Sequence, residues 1–309
     1  MNNILLVDVS NIYNKYYYAN ISNGSNYIDP ALQGFCYFLT LLHNKISEYT
    51  KIHFVLDSDK QLHDKVKDYK GYKASRETKK EVYRNWEDFL ALLTVYYPNK
   101  CNIIRNLYRE TDDVIAYLAK KYSVNKENKI IIYSSDKDFC QLCSKDNILI
   151  ADSFRKGEFI TWNKQDIYNK FKDSTRKKDF TRISEDLNML TIYRCFKGDK
   201  SDNIPPAIPK LYDKELKDII DVYDGKYLDE DKLAEIIIKL KNENLKHKIA
   251  GNFDNILHNF TLMSFDTPDR WSRLTKDTKV IKVKSDLSKL DNLLEKYSLH
   301  NYRNIICQK

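Results

Sequence analysis

The chain has 309 residues, 31% charged and 13% aromatic, with only 7 Gly and 6 Pro, which suits a folded, helix-tolerant protein and excludes a disordered or fibrous one. Its 52 basic and 44 acidic residues leave a net charge of +8, compatible with a polyanionic partner or with an ordinary solvated surface. The six cysteines follow no framework spacing, MNNILLVD lacks a secretory pattern, and no apolar run approaches the roughly 18 residues of a membrane span; a reduced, cytoplasmic protein away from membranes is expected.

ILLVD (4–8) predicts a short buried strand ending at Asp8, and Ser10-Asn11 a turn into a helix. Pro30 opens a helix with Leu32, Phe35, Leu39 and Leu42 at helical spacing. IHFVLD (52–57) repeats the first pattern and ends at Asp57. No strand pattern follows until about residue 97, and residues 58–84 hold nine Lys/Arg against five Asp/Glu. Within it Lys73, Arg76, Lys80 and Arg84 fall at i, i+3, i+7 and i+11, which predicts one positive helical face, either tracking phosphates or pairing with Glu77 and Glu81.

CNIIR (101–105) reads as a third strand, and Glu110-Thr111-Asp112-Asp113 opens a helix with more acids than a cap requires. IIIY (130–133) stops at SSDKDFCQL (134–142), which puts Asp136 and Asp138 at a strand end. NILIAD (147–152) and EFITW (158–162) read as further strands, and the polar, basic stretch 163–185 marks a boundary before a helical remainder. A helical run, LNMLTIYRCF, leads into the loop KGDKSDN, with Asp199 and Asp202 ahead of two prolines. Residues 211–262 and 283–296 have helical spacing, and KVIKVKSDLSKL reads as a packing helix with a solvated face. Cys140 and Cys143 have no second pair or suitably spaced His, so they read as small core residues.

In a parallel α/β sheet the strand ends meet at one edge, which would crowd Asp8, Asp57, the Glu110 group and Asp136/Asp138 together. Crowded carboxylates raise one another's pKa unless a cation intervenes, and oxygen-only ligands select Mg²⁺ or Mn²⁺ over zinc. Two such ions roughly 4 Å apart can activate water and stabilise a leaving oxygen, so phosphodiester hydrolysis is the predicted chemistry.

In this order VDVSN, FVLD, GYKASR (71–76), ETDD, SSDKDFCQL and KGDKSDN resemble the 5′ nuclease family of flap endonucleases and 5′-3′ exonucleases, most of all its bacteriophage RNase H-type branch, from Leu5 to at least Asn203. The resemblance implies an α/β fold with a PIN-like, mostly parallel central sheet flanked by helices. It also implies a nuclease domain at 1–185, a helical arch at about 58–98, and a helix-turn-helix-type helical region at 186–309 that grips duplex. Two Mg²⁺ (or Mn²⁺) ions are implied, one gathered by Asp8, Asp57, Glu110 and Asp112, the other by Asp113, Asp136, Asp138, Asp199 and Asp202. Lys73 and Arg76 would hold the scissile phosphate, Tyr72 would stack on a terminal base, and Lys80, Arg84, Lys197 and Lys200 would contact the nucleic acid.

The implied activity is metal-dependent cleavage at 5′ ends and flaps of DNA and RNA–DNA duplexes, including primer removal in replication or repair. The implied protein is a monomer partnered by a single-strand-binding protein or a polymerase. A non-catalytic structure-specific nucleic-acid-binding protein and a PIN-type single-strand ribonuclease are the competing readings. The chain departs from the family pattern after KGDKSDN, where IPPAIPKLY replaces a glycine-rich turn and removes backbone donors beside a monovalent-ion position. It also departs at Val9, in place of the usual Gly, and around His63-Asp64, in place of an Arg.

Overall fold

The computed structural model describes residues 2–24, 26, 28–58, 65, 69–74, 81–95, 101–155, 157–175, 181–225, 227–266, 274, 278–281 and 287–303. A sheet of seven strands organises it: β1 (Asn2–Asp8), β2 (Lys51–Leu56), β3 (Cys101–Asn106), β4 (Asn128–Tyr133), β5 (Ile148–Arg155), β6 (Glu158–Trp162) and β7 (Thr278–Ile281). They lie in the order β6-β5-β4-β1-β2-β3-β7, the inner five parallel and the two edges antiparallel.

Near-continuous apolar runs make the central strands, because both faces of a parallel sheet are covered. Alternate residues of each run go to opposite faces. Ile4, Leu6, Val55, Ile130 and Ile132 pack on one side, under α4 (Thr111–Ser123), α7 (Met189–Lys197) and α11 (Phe253–Met263). Leu5, Val7, Phe54, Ile131 and Tyr133 pack on the other, under α1 (Val9–Ser22), α2 (Pro30–His43), α3 (Trp86–Val95) and α12 (Leu287–Lys296). The first core continues without a break into α8 (Asp213–Val222), α9 (Glu230–Lys239) and α10 (Glu243–Ala250) through Leu216, Ile219, Leu233 and Leu245. Two further helices, α5 (Lys164–Thr175) and α6 (Thr181–Glu185), fill the stretch expected to be a boundary.

The strand order sets the position of the site. From β1 the chain builds outward through β2 to β3, then returns to place β4 on the other side of β1 and continues to β5. The order therefore reverses between β1 and β4, and a crevice opens beyond the carboxyl ends of these two strands. Asp8 closes β1, while Ser134 to Asp138 directly follow β4.

Two expectations change. KVIKVKSDLSKL is not one helix: Thr278–Ile281 is an edge strand on β3, and the helix starts at Leu287. The basic row is not a helical face either: residues 70–74 and 81–85 are turns, and Lys73 has a φ of 53°, outside any right-handed helix. Arg76 and Lys80 lie outside the described residues, as do 59–64, 66–68, 75–80 and 96–98 of the expected arch. α3 packs into the second core through Phe89, Leu92 and Leu93. Among the described residues no helix is long and apolar enough to cross a membrane.

Candidate active site

Backbone capping fixes the first carboxylates. Asp8 is the N-cap of α1 and accepts from the Asn11 amide at 3.1 Å and from Ser134 Oγ at 2.8 Å, which ties the ends of β1 and β4 together. Asp57, just past β2, accepts from the Thr111 amide at 3.1 Å and so caps α4 from outside. Asp136 caps the 3₁₀ helix Lys137–Ser144 through the Asp138 amide at 2.9 Å. Burial is the largest influence on Asp8 and, with the negative charges of Asp136 and Asp57 adding to it, pushes its carboxyl up to about 8 against the Ser134 and Asn11 hydrogen bonds.

Glu110, Asp112 and Asp113 start α4 and form the tightest group, with carboxylate oxygens all within 4.8 Å of one another. Two ammonium groups enter it. Lys65 Nζ is 2.9 Å from Glu110 Oε2 and 3.6 Å from both Asp112 and Asp113, and Lys73 Nζ is 2.5 Å from Glu110 Oε1. Tyr72 donates its hydroxyl to Glu110 at 2.9 Å and to Asp202 at 3.3 Å. Burial pushes the Asp112 carboxyl up to about 7, although Lys65 and Lys73 oppose the shift.

A third group faces the first two across the crevice. Arg194 on α7 pairs with Asp138 and, at 2.5 Å, with Asp199. Burial works against ionisation of Asp199, yet hydrogen bonds from Ser201 and the Arg194 guanidinium hold its carboxyl below the usual range. Gly198 makes this turn with a φ of 72°, and a Cβ there would meet Ile204 O and the backbone of Pro205 and Pro206 at 2.6 Å. The Pro205 carbonyl turns inward and accepts from buried Asn259 at 2.8 Å. The loop is stitched to residues 69–73: the Lys73 amide donates to Asp202 O at 2.8 Å and Asn203 Nδ2 to Gly71 O at 2.8 Å. Beside Asp136, Asp138, Asp199 and Asp202 lies a cavity of about 890 Å³ whose far wall holds Trp162 and Tyr193.

All nine predicted acids thus sit at or beside the crevice, but in a different grouping. Asp113 and Asp202 lie with Glu110 and Asp112, while Asp8 neighbours Asp57 and Asp136. Lys73 reaches the centre. Tyr72, 3% exposed, turns its ring inward under Lys65 and Lys73 instead of presenting it to a base. Arg84 bonds the Ile28 carbonyl, Lys197 pairs with Asp213 at 2.8 Å, and Lys200 is exposed. Sequence reasoning missed Lys65, Arg194, Ser134 and Gln141. For Arg194 a signal existed: it occupies the polar side of α7, whose Ile192, Cys195 and Phe196 are buried.

The donors suit a hard divalent cation, since the groups that meet here are carboxylates and, among the described residues, neither His nor Cys joins them. Cys143 is buried in the core, and half-buried Cys140, whose thiol burial pushes up to about 12, packs against it; neither forms a disulfide. An added dication would also offset the burial, and the neighbouring negative charge, that lift Asp8 and Asp112.

Residues 3–172 match the family model of the 5′-3′ exonuclease N-terminal resolvase-like domain. The chain is 24% identical over 310 residues to a 5′-3′ exonuclease of Mycoplasmopsis pulmonis, covering 96% of this chain and 93% of that one. It is 23% identical over 247 residues to the flap endonuclease Xni of Pseudoalteromonas translucida, covering 78% and 88%. The fold is similar to that of the D15 protein of bacteriophage T5 co-crystallised with metal ions, with a TM-score of 0.61, 16% identity, and 99% and 100% of the two chains covered. With a family model spanning over half of its length, and with strand ends that deliver carboxylates to the crevice of a mostly parallel sheet, the chain belongs to the 5′-3′ exonuclease family.

Proposed function

We propose that this chain is a Mg²⁺-dependent 5′ nuclease that hydrolyses phosphodiester bonds at 5′ ends and flaps of DNA and RNA–DNA duplexes. The convergence of carboxylates from five separated segments on the switch point between β1 and β4 carries this reading. Glu110, Asp112, Asp113 and Asp202 would hold one ion and Asp8, Asp136 and Asp138 a second, with Asp57 and Asp199 orienting their neighbours. When bound, these ions would supply positive charge that activates water and stabilises the leaving oxygen.

The remaining roles fall to the chain's own groups. The Lys73 ammonium, at the rim of the acidic group, would donate to the scissile phosphate together with Arg76. Tyr72 would orient Glu110 and Asp202 through its hydroxyl, a role its buried position supports better than stacking on a base. The Lys200 side chain and the helical region at 186–309 would grip the duplex backbone, giving affinity that falls with salt. The stitching of Asp202 and Asn203 to residues 71–73 would then couple duplex contact to the placement of Lys73. The protein would act as a cytoplasmic monomer, its free thiols at home in a reducing compartment.

The test is incubation with end-labelled 5′-flap DNA, blunt duplex and single-stranded RNA, with and without Mg²⁺. Cleavage near the flap junction that requires the metal is expected. Binding without cleavage at any Mg²⁺ or Mn²⁺ concentration would leave a non-catalytic binding protein, and preference for single-stranded RNA would identify a ribonuclease.

A further inference from the structure

The geometry points to Lys65 as an internal cation that occupies the metal position of the Glu110 group and must leave when a divalent ion binds. The inference rests on the proposed metal centre and goes beyond it, because it assigns an exchange partner within the chain. Lys65 is 5% exposed, and its ammonium touches all three carboxylates at 2.9, 3.6 and 3.6 Å. Each of the three acids offers a carboxylate oxygen within 4.8 Å of the others, and the buried ammonium reaches all three residues. Lys73 differs: 21% of its side chain is exposed, and it pairs with Glu110 Oε1, whereas Lys65 takes Oε2.

A magnesium ion held by these carboxylates would compete with the ammonium for the same oxygens. A dication and an ammonium gathered by one buried group and shielded from water repel strongly. The two therefore exclude each other. With Lys65 in place, the chain neutralises most of a buried negative cluster and folds without metal. With metal in place, Lys65 must find another position, and the work of displacing it lowers the apparent metal affinity.

Lys65→Met removes the competing charge and keeps much of the stem. Titration calorimetry with Mn²⁺, and unfolding in EDTA and in saturating Mn²⁺, read the exchange without reference to activity. Lys65→Met should bind Mn²⁺ about tenfold more tightly or better, unfold more readily in EDTA, and recover towards wild type in metal, while Lys65→Arg stays near wild type. In the unaltered protein, amine acylation followed by mass spectrometry should show Lys65 protected in EDTA and several-fold more reactive with Mg²⁺, against exposed Lys200 as reference. Unchanged or weaker Mn²⁺ binding by Lys65→Met, or Lys65 still protected in saturating Mg²⁺, overturns the exchange while leaving the metal centre standing. No Mn²⁺ uptake by wild type or Lys65→Met overturns both.

Discussion

Gln141 shows how the acidic edge depends on the helical region behind it, and Gln141→Leu tests that dependence. The side chain is 7% exposed and makes four hydrogen bonds: its amide donates to Asp138 O at 3.0 Å and Met263 O at 3.2 Å, and its carbonyl accepts from Thr191 Oγ at 3.1 Å and the Phe265 amide at 3.0 Å. Leucine fills the volume but satisfies none of them. The Thr191 hydroxyl can rotate to another acceptor; the Met263 carbonyl and Phe265 amide are fixed backbone groups, and each costs about 1–3 kcal/mol if left buried and unpaired. Added apolar burial offsets about 1–2 kcal/mol, which leaves a net loss centred on about 2.5 kcal/mol. Urea unfolding followed by circular dichroism measures it. Asp138 shares the 3₁₀ helix with Gln141, so flap cleavage under single-turnover conditions should also fall by about tenfold or more. A variant within about 0.5 kcal/mol of wild type, with full cleavage, would refute the reasoning.

Metal-free stability should fall as pH rises from about 5 to about 8, since Asp8 and Asp112, pushed up to about 8 and about 7, keep protons in the folded chain that the unfolded chain has already released. The expected slope is on the order of 1 kcal/mol per pH unit and should flatten in saturating Mg²⁺; thermal unfolding in EDTA that shows stability increasing over this range would contradict it. Lys73→Ala should slow the chemical step by about 10²–10³ in rapid-quench experiments, and an effect confined to flap affinity would remove its proposed contact with the phosphate. Gly198→Ala forces a side chain into a φ of 72° and against backbone atoms at 2.6 Å. It should cost at least about 2 kcal/mol and impair cleavage, measured by urea unfolding and flap assay, and a neutral result would mean the loop has room to shift.

Strand-then-acid units were legible because a parallel strand buried on both faces reads as an unbroken apolar run, and ILLVD, IHFVLD and IIIYSSD each stop at the crevice. Their convergence followed from topology alone. The cations were not legible. Lys65 and Arg194 are ordinary basic residues in the chain, and their meeting with acids such as Asp113 and Asp199 depends on contacts between segments distant in sequence. Counting charges at helical spacing misread Lys73 and Arg84, which lie in turns; Lys73 adopts a left-handed conformation pinned by the Asp202 carbonyl, a contact made over more than a hundred positions. Residues 278–281 were misread because four residues are too short for periodicity to separate an edge strand from the helix after it. The grouping of Asp202 with Glu110 was hidden because it is set by the docking of residues 69–73 on the loop at 198–203.

The central claim is that the acids gathered between β1 and β4 cut phosphodiester bonds. Asp136→Ala removes one of them at a position that is neither in the hydrophobic core nor paired with Lys65, so the fold should survive. Single-turnover cleavage of a 5′-flap duplex in saturating Mg²⁺, with binding measured on the same substrate in Ca²⁺, is the direct measurement. Cleavage by Asp136→Ala should be lost by about 10³ or more while flap affinity stays close to wild type. Cleavage by Asp136→Ala at the wild-type rate would contradict that claim.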